Sequence, residues 1–555
     1  MTITRHFVTL DGRWGARQVH YRRAGTGPAV LLLHQSPQSS REMVELMGRW
    51  SSEFTLIAPD TPGYGQSDPL GTQRVSIADL AAALGEFTDA IGLRRFGIYG
   101  YHTGASIGTW LAAAAPERVA AVAAQGLAQL TDEEREDILA HYLPPLEPRW
   151  DGSHLTWLWG RIREQTVFFP WYRHRASARM AYDVPAPELL QAAVLEMLRA
   201  GDHYASAYRA AFESRPETIL PRLRVPLLVT AGGGDPLAAH MARLRDLPSC
   251  VRTAPADNGT DALARCHAHL LAHPGDGAPA PPPTRPLPGR VWSRMVRTAE
   301  GEIHLREAGG GHNRPVVMLH AAASSSTALV PVLSGAKAAP LLAPDLPGHG
   351  ESTGIGPAPI STAATAIAAA LTAAGSPRDA LLVGRGAGAA VAMELARHST
   401  HPAARLLLID VPARDPAEQE AFLTQGLPDF APQSHGGHLL AAWQMIRDGH
   451  LFAPWFDRRR VAILPGEPAV DPRQLQVELT ELLKALGGWR DLERAALAYP
   501  WRDRIRDCRI PLQLAAPPGA AFDLTRRLAN TAGGPRFTEL PTAADRWADA
   551  WQESG

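Results

Sequence analysis

The sequence predicts an α/β protein built from two tandem, doubly wound and mostly parallel sheets, each with a helical cap insertion. Three observations lead to this prediction: the length of the chain, an internal repeat, and the alternation of strand-like and helical segments within each half. A length of 555 residues exceeds that of one ordinary domain. Alternating β and α segments favour a parallel sheet covered by helices on both faces.

An internal duplication relates the two halves of the chain. The segment APDTPGYGQSD begins at Ala58 and its counterpart APDLPGHGEST begins at Ala343, while His34 and His320 each follow an apolar run. Five such pairs of segments are separated by offsets of 284 to 286 residues. Unrelated matches would not keep one register, so the halves are two copies of one fold.

A proline-rich stretch separates the two copies. The segment PGDGAPAPPPTRPLPG begins at Pro274 and contains seven prolines. Proline fixes φ and removes a backbone donor, so we expect an extended linker. The expected domains are residues 1–274 and 291–555, joined by the linker at 275–290, and we expect close contact between them.

Each half contains the segments that a doubly wound sheet needs. Continuous apolar runs such as AVLLL and RFGIYG are typical of strands buried on both faces. The stretch SIADLAAALGEFTDAIG has helical spacing. Long, aromatic helical insertions at about 127–222 and about 412–507 interrupt the alternation. We expect these insertions to cap the carboxyl ends of the strands, where ligands bind in open α/β sheets.

Composition and charge exclude several classes of protein. Lys and Arg total 55 and Asp and Glu total 56, and this balance argues against a nucleic-acid binder or a protein that binds anionic membranes. Cys250, Cys266 and Cys508 make neither a disulfide framework nor a metal-binding pair, which is typical of a reducing compartment. The sequence shows no signal peptide and no membrane-spanning run. We therefore expect a soluble, cytoplasmic protein that needs no metal or other cofactor.

Several motifs resemble those of the α/β-hydrolase superfamily. They are the His34 loop after a strand, the PDTPGYGQSD turn, the GYHTG segment at residues 100–104, and Asp235 after a late strand. The resemblance covers nearly all of both halves. It implies a nucleophile elbow between a strand and a helix, an acid after a late strand, and a cap domain.

The elbow departs from the family pattern. His102 stands at the position of the nucleophilic serine, and Gly386 stands there in the second copy. Ser106 lies in a literal G-x-S-x-G match, but the register places it inside the following helix as a packing residue. The family histidine after the last strand is missing from PADNGTDAL.

These departures lead to a hypothesis for the first copy. The His102 ring extends farther from the backbone than a serine hydroxyl, so it could reach Asp235 through the space of the missing histidine. An imidazole suits general-base catalysis at neutral pH. We predict that His102 is the base and that Asp235 orients it. Nucleophilic attack by His102, and a relic role without catalysis, stay open as alternatives.

The loops near the elbow supply candidate oxyanion donors. The resemblance implies one backbone amide from Thr103 and another from the loop around Gln35 and Ser36. His34 either belongs to the site or orients that loop.

The cap insertion of the first copy supplies weaker candidates for substrate binding. Its clustered aromatic and arginine side chains could bind an aromatic or carboxylate-bearing substrate by stacking and bidentate pairing. The second copy keeps His438, Trp443 and Arg447, and this retention favours a packing role instead. The weak candidates are Tyr101, His154, Trp157, Arg161, Phe168 and Trp171.

The second half lacks the expected catalytic residues. Gly386 is at the elbow, Ala520 is at the acid position, and Asp410 has no evident histidine partner. We expect this half to be a catalytically silent pseudoenzyme domain. The predicted function is hydrolysis of an ester, amide or C–C bond in a small organic substrate by the first half. The alternative is a non-catalytic protein that binds a small molecule or a protein partner.

Overall fold

The structure is a computed structural model whose residues form two compact units. It describes residues 2–309, 314–335, 339–376, 379–398, 403–519, 522–531, 535–541 and 546–547. The first unit comprises residues 1–147 and 157–286, and the second comprises 148–156 and 287–555. Each unit contains one eight-stranded sheet.

The sheet of the first unit is mostly parallel. Its strands are β1 Thr4–Gly12, β2 Gly15–Ala24, β3 Ala29–Leu33, β4 Thr55–Pro59, β5 Phe96–Tyr101, β6 Val119–Gln125, β7 Leu227–Thr230 and β8 Val251–Thr253. They are arranged in the order β1-β2-β4-β3-β5-β6-β7-β8, and only β1–β2 and β2–β4 pair antiparallel. Strands β3, β4, β6 and β7 are buried along their whole length, as expected for a sheet covered on both faces.

Helices cover this sheet and form the cap. They are α1 Val44–Trp50, α2 Ile77–Ala90, α3 Thr103–Ala114, α4 Asp132–His141, α5 Ser153–Gln165, α6 Pro187–Ala200, α7 Tyr204–Glu213 and α8 Gly259–Ala272. Helices α4 to α7 lie within the predicted insertion at 127–222. Helix α4 begins at a capping box, in which Thr131 and Glu134 satisfy each other's backbone amides.

The second unit repeats this topology. Its strands are β9 Trp292–Arg297, β10 Glu302–Ala308, β11 Val316–Leu319, β12 Leu341–Pro344, β13 Ala380–Arg385, β14 Ala403–Ile409, β15 Leu512–Ala516 and β16 Arg536–Glu539, in the order β9-β10-β12-β11-β13-β14-β15-β16. Its helices are α9 Val330–Gly335, α10 Ile360–Ala373, α11 Ala387–Ala396, α12 Pro416–Gln425, α13 Gly437–Gly449, α14 Pro472–Lys484, α15 Trp489–Leu497, α16 Trp501–Arg506 and α17 Phe522–Thr531. The prediction of two tandem, mostly parallel α/β sheets is confirmed.

The proline-rich segment packs along the first unit as far as residue 286. The carbonyl of Asp276 accepts a hydrogen bond from the amide of Ala29 at 2.8 Å. Thr284 Oγ1 donates to the carbonyl of Phe7 at 2.8 Å. The segment is therefore not a free spacer over this range, because Asp276 is bonded to β3 and Thr284 to β1. Within the described ranges, no helix has both the length and the hydropathy that a membrane crossing requires.

A buried carboxylate holds the loops at the carboxyl end of the first sheet. Asp60 follows β4, and its Oδ2 lies 2.8 Å from His20 Nδ1. Asp60 also accepts hydrogen bonds from the amides of Ser40 at 2.7 Å and Gln66 at 2.9 Å. Burial by itself would raise the pKa of Asp60, but His20 and these hydrogen bonds outweigh burial, and the pKa lies well below its usual range.

The network predicts a large loss of stability when Asp60 is removed. We expect Asp60→Ala to lower the free energy of unfolding by about 3–5 kcal/mol, because His20 and two amides lose a buried partner. Urea unfolding followed by circular dichroism measures the loss. Asp89→Ala removes a mostly exposed partner of Arg118 and should cost less than about 1 kcal/mol. Equal losses in the two variants would contradict the assigned role of Asp60.

Candidate functional site

A sharp strand-to-helix turn places His102 at the carboxyl edge of the sheet. Strand β5 ends at Tyr101 and α3 begins at Thr103. His102 lies between them with φ 47° and ψ −106°, a conformation that L residues rarely adopt. A Cβ atom at Gly104 would lie 2.2 Å from the carbonyl oxygen of Leu33, so a glycine is needed for the turn to pack against β3. Ser106 lies inside α3, in agreement with the register of the sequence.

The turn brings His102 into contact with Asp235. His102 Nε2 lies 3.0 Å from Asp235 Oδ2, and the Asp235 side chain is buried. Gly126, with φ +71°, makes room for the ring, because a Cβ there would lie 2.3 Å from His102 Cδ2. The Tyr101 ring lies against the other side, with the ring centroids 4.1 Å apart.

Asp235 is held as an ionised group. Burial would raise its pKa, but the charge of His102 and the hydrogen bonds from His102 and the amide of Leu237 lower the pKa below its ordinary value. The amide of Leu237 donates to Asp235 Oδ1 at 2.8 Å. At the position of the missing family histidine, Asn258 caps α8 by accepting a hydrogen bond from the amide of Asp261 at 3.0 Å. Asp235 is therefore paired with the elbow residue itself.

The loop after β3 is fixed by His34. His34 is buried, and its Nδ1 lies 2.8 Å from the carbonyl oxygen of Gln35. The amide of Thr61 donates to His34 Nε2 at 2.9 Å, so both ring nitrogens are occupied by backbone groups. Burial, more than any other factor, lowers the pKa of His34. Of the two roles considered for His34, the contacts favour orienting the loop.

Glu42 is a site residue that the sequence analysis missed. Its carboxylate accepts hydrogen bonds from the amide of Gln35 at 3.0 Å and from Gln35 Nε2 at 2.6 Å. Burial raises the pKa of Glu42 to about 7, although Gln35 and the nearby charge of His102 oppose this rise. The sequence did not indicate that Glu42 belongs to the site. A glutamate in a short helical segment seven residues after Gln35 is typical of an exposed helix.

The contact with Glu42 changes the set of candidate oxyanion donors. The backbone amide of Gln35 is already used. The amides of Ser36 and Thr103 donate to no acceptor among the residues that the structure describes, and both residues line the cavity beside His102. These two amides are the candidates that stay available.

A cavity of about 460 Å³ opens above His102 in the first unit. Its walls are mainly apolar and aromatic, and the described lining includes no lysine or arginine. Such a cavity suits a small organic molecule. The lining residues are Gln35, Ser36, Tyr101, His102, Thr103, Ser106, Ala128, Leu130, Tyr142, Gln165, Thr166, Phe169, Met180, Tyr182, Asp183, Pro185, Tyr208, Ala211, Phe212, Pro236 and Leu237.

Five of the six weak substrate-binding candidates lie outside this lining, and only Tyr101 belongs to it. His154 is grouped with the second unit, where its ring packs edge-on against Trp443 at 4.9 Å. Trp171 donates through Nε1 to the carbonyl of Tyr142 at 3.1 Å, and the Trp157 ring packs edge-on against Trp171. These contacts are packing contacts of the cap.

The other two candidates also lie outside the cavity lining. Phe168 packs edge-on against His174. Arg161 is buried behind the wall, with its guanidinium over the rings of Tyr142 and Trp171. Helical spacing did not reveal which face of the cap helices meets the cavity. Phe169 of the aromatic cluster does line the cavity, whereas the wall residues Tyr142, Tyr182, Tyr208 and Phe212 were not predicted.

The elbow of the second unit has the same shape but other side chains. Gly386 has φ 55° and ψ −125°, close to the backbone angles of His102. Asp410 occupies the position that corresponds to Gly126, and its Oδ2 accepts a hydrogen bond from Arg385 Nε at 2.8 Å. Asp410 thus has an arginine partner, and Ala520 lies outside the described residues.

The close approach at Gly126 can be tested by adding one methyl group. We expect Gly126→Ala to displace the His102 ring and to break its bond to Asp235, because the new Cβ would overlap the ring. The left-handed backbone adds a destabilisation of about 1–2 kcal/mol. The NMR signals of the His102 ring, assigned with His102→Ala, report the displacement. Gly85→Ala is the matched control, since a Cβ there makes only an ordinary contact with Leu111 at 3.7 Å.

The raised pKa of Glu42 predicts a pH-dependent contribution to stability. At pH values between 4.5, the ordinary pKa of a glutamate, and about 7, the pKa of Glu42 in the folded protein, Glu42 is protonated in the folded protein but ionised in the unfolded chain. The contribution of Glu42 is therefore greatest below pH 4.5 and declines as the pH rises towards 7. Between pH 5 and 8, wild type should lose about 2–3 kcal/mol of unfolding free energy relative to Glu42→Gln. Urea titrations at both pH values measure the unfolding free energy of wild type and of Glu42→Gln. If the difference between the two proteins is the same at both pH values, the assignment is contradicted. Glu45→Gln is the exposed control.

The sequence of the first half matches a family of known proteins. Residues 28–256 match the family model described as alpha/beta hydrolase fold. Haloalkane dehalogenase 2 of Mycobacterium tuberculosis (strain H37Rv) is 31% identical over 116 residues, which are 20% of this chain and 41% of that protein. Soluble epoxide hydrolase of Corynebacterium sp. (strain C12) is 31% identical over 110 residues, which are 20% of this chain and 37% of that protein. The chain thus spans about two fifths of the length of these curated relatives.

Solved structures also resemble one half of the chain. A hydrolase from Pseudomonas aeruginosa PA01 has a TM-score of 0.37 at 19% identity and covers 48% of this chain and 97% of its own. The residues that match the family model lie within the first half of the chain and include the elbow at His102 and the cap helices α4 to α7. The first half of the chain therefore has the α/β-hydrolase fold.

Proposed function

We propose that the first unit hydrolyses a small organic substrate with His102 as general base and Asp235 as the acid that orients it. The observation that carries the proposal is the 3.0 Å contact between His102 Nε2 and Asp235 Oδ2 beside a cavity of about 460 Å³. An elbow residue without a role would need neither the strained backbone nor a buried carboxylate partner.

The pairing sets the tautomer of His102. Because the carboxylate of Asp235 is ionised, it accepts a hydrogen bond, and His102 Nε2 carries the proton that is donated. The lone pair is then on Nδ1, which forms no hydrogen bond with any residue that the structure describes. Nδ1 is therefore the atom that can take a proton from water.

For an ester substrate, the steps follow from this arrangement. Water loses a proton to His102 Nδ1 while its oxygen bonds to the carbonyl carbon, and the amides of Ser36 and Thr103 stabilise the oxyanion. The C–O bond to the leaving group then breaks, and the imidazolium returns the proton to the leaving oxygen. Asp235 stays ionised throughout and stabilises the imidazolium. An amide or a C–C bond would need the same base and the same oxyanion donors.

We propose no catalysis for the second unit. Gly386 offers no side chain at the elbow, and Asp410 is bonded to Arg385. The alternative for the whole chain, a protein that binds a small molecule without reacting with it, has no separate observation in its favour.

The proposal predicts that His102 is essential for turnover. On a panel of p-nitrophenyl esters, we expect His102→Ala to lower kcat/KM at least about a hundredfold, since a general base typically contributes that much or more. Asp235→Asn should lower it as well, because an amide can neither hold the same tautomer nor stabilise the imidazolium. Release of p-nitrophenolate measures both rates.

Two control variants make the result decisive. His141→Ala removes an exposed histidine of the cap and should leave the rate unchanged. Ser106→Ala tests the literal G-x-S-x-G motif. If Ser106→Ala is inactive while His102→Ala is active, Ser106 and not His102 is the catalytic residue. A wild-type protein that hydrolyses none of the esters would favour the binding alternative.

A further inference from the structure

Arg161 is a buried cation without an acidic partner. Its side chain is 2% exposed, and none of the residues that the structure describes forms an ion pair with it. Nη1 donates to Gln165 Oε1 at 2.8 Å, whereas Nε and Nη2 have no hydrogen-bond partner. An uncompensated buried charge is expensive, so its presence behind the cavity wall needs a reason.

Arg161 determines which groups donate and which accept in a series of hydrogen bonds that ends at the cavity. A guanidinium can only donate, so the amide of Gln165 must present its oxygen to Arg161 and its nitrogen to Tyr208. Gln165 Nε2 lies 3.1 Å from the hydroxyl of Tyr208, which therefore accepts this bond. The hydroxyl of Tyr208 also interacts with the side chains of Tyr142 and Arg161. None of the hydrogen bonds among the described residues has this hydroxyl as its donor, so the phenolic proton is left to donate elsewhere. Gln165 and Tyr208 both line the cavity.

The second copy shows that packing of the cap alone does not require the hydrogen bonds that join Arg161, Gln165 and Tyr208. At the corresponding positions, Met445 replaces Arg161, Gly449 replaces Gln165 and Glu493 replaces Tyr208. The neighbouring packing contact is kept, since Trp455 Nε1 donates to the carbonyl of Gly426 at 3.2 Å just as Trp171 does to that of Tyr142. The polar chain is thus absent from the copy that also lacks the elbow histidine, while the cap around it persists.

We propose that the hydroxyl of Tyr208, polarised by Arg161 through Gln165, binds a carboxylate group on the substrate of the first unit. The inference rests on the proposed function and names the substrate class: a compact, largely apolar acid. The buried positive charge favours an anion over a neutral oxygen, because hydrogen bonds to charged groups are the stronger ones. Asp183 also lines the cavity but is exposed, so water screens its charge.

The test compares two probes of similar size, of which one is anionic and the other neutral. Benzoate carries the carboxylate, and benzyl alcohol carries a neutral hydroxyl. By isothermal titration calorimetry on the full chain, Tyr208→Phe should weaken benzoate binding about tenfold or more and change benzyl alcohol binding less than about twofold. Arg161→Met, which introduces the residue of the second copy, should have the same selective effect.

Two further variants separate this inference from the proposed function. His102→Ala should still bind benzoate, because the probe does not depend on the base. Tyr172→Phe removes a cap hydroxyl that donates to Asp137 outside the cavity lining, and it should bind both probes as wild type does.

The outcomes that would overturn the inference are distinct from a failure of catalysis. Wild-type protein that binds benzoate no more tightly than benzyl alcohol would overturn it, and so would an equal loss of both probes in Tyr208→Phe. If Arg161→Met does not fold, Tyr208→Phe decides alone. Selective benzoate binding in a protein that hydrolyses no ester would support the carboxylate site while contradicting the hydrolase.

Discussion

The contact between a strained elbow residue and a neighbouring glycine is the constraint on which the site of the first unit depends. His102 is forced into a left-handed backbone conformation, and its ring then occupies the volume that any side chain at residue 126 would need. In the second unit the two positions are reversed: the elbow residue Gly386 has no side chain, and Asp410 stands at the position of Gly126. The fold therefore allows a side chain at either position, and which one is present decides whether a buried carboxylate can pair with a base.

The duplication separates contacts that maintain the fold from contacts that equip one site. The histidine–aspartate pair beneath the loops occurs twice, as His20–Asp60 and His304–Asp345, with the ring nitrogen and carboxylate 2.8 Å apart in both. Because the second copy keeps this pair without an elbow side chain, the pair belongs to the fold. Glu42 has no acidic counterpart in the second copy, because Ala328 stands at its position. The hydrogen bonds from Gln35 to Glu42 therefore belong to the first site only.

Sequence reasoning was most informative where a local motif dictates a local structure. The repeat register and the alternation of apolar runs predicted both sheets, and the glycines around residue 102 predicted the elbow. The cap was harder because its aromatic residues serve packing and lining alike. Nothing in the spacing of Trp171 and Tyr208 shows that one faces its own helices and the other the cavity. Glu42 and Arg161 were equally hidden as site residues, because their burial depends on segments distant in the sequence.

The pKa values of two carboxylates near His102 are shifted in opposite directions by their surroundings. Asp235 has His102 and an amide as donors, and these outweigh burial and lower its pKa. Glu42 has the neutral donors of Gln35 and the nearby charge of His102, which together do not outweigh burial, so its pKa is raised to about 7. One carboxylate is thus ionised at neutral pH and can stabilise an imidazolium, whereas the other is partly protonated and adds less negative charge near the oxyanion donors. An arrangement that kept both ionised would stabilise the protonated base but oppose the developing oxyanion, so the opposed shifts suit a reaction in which both charges form together.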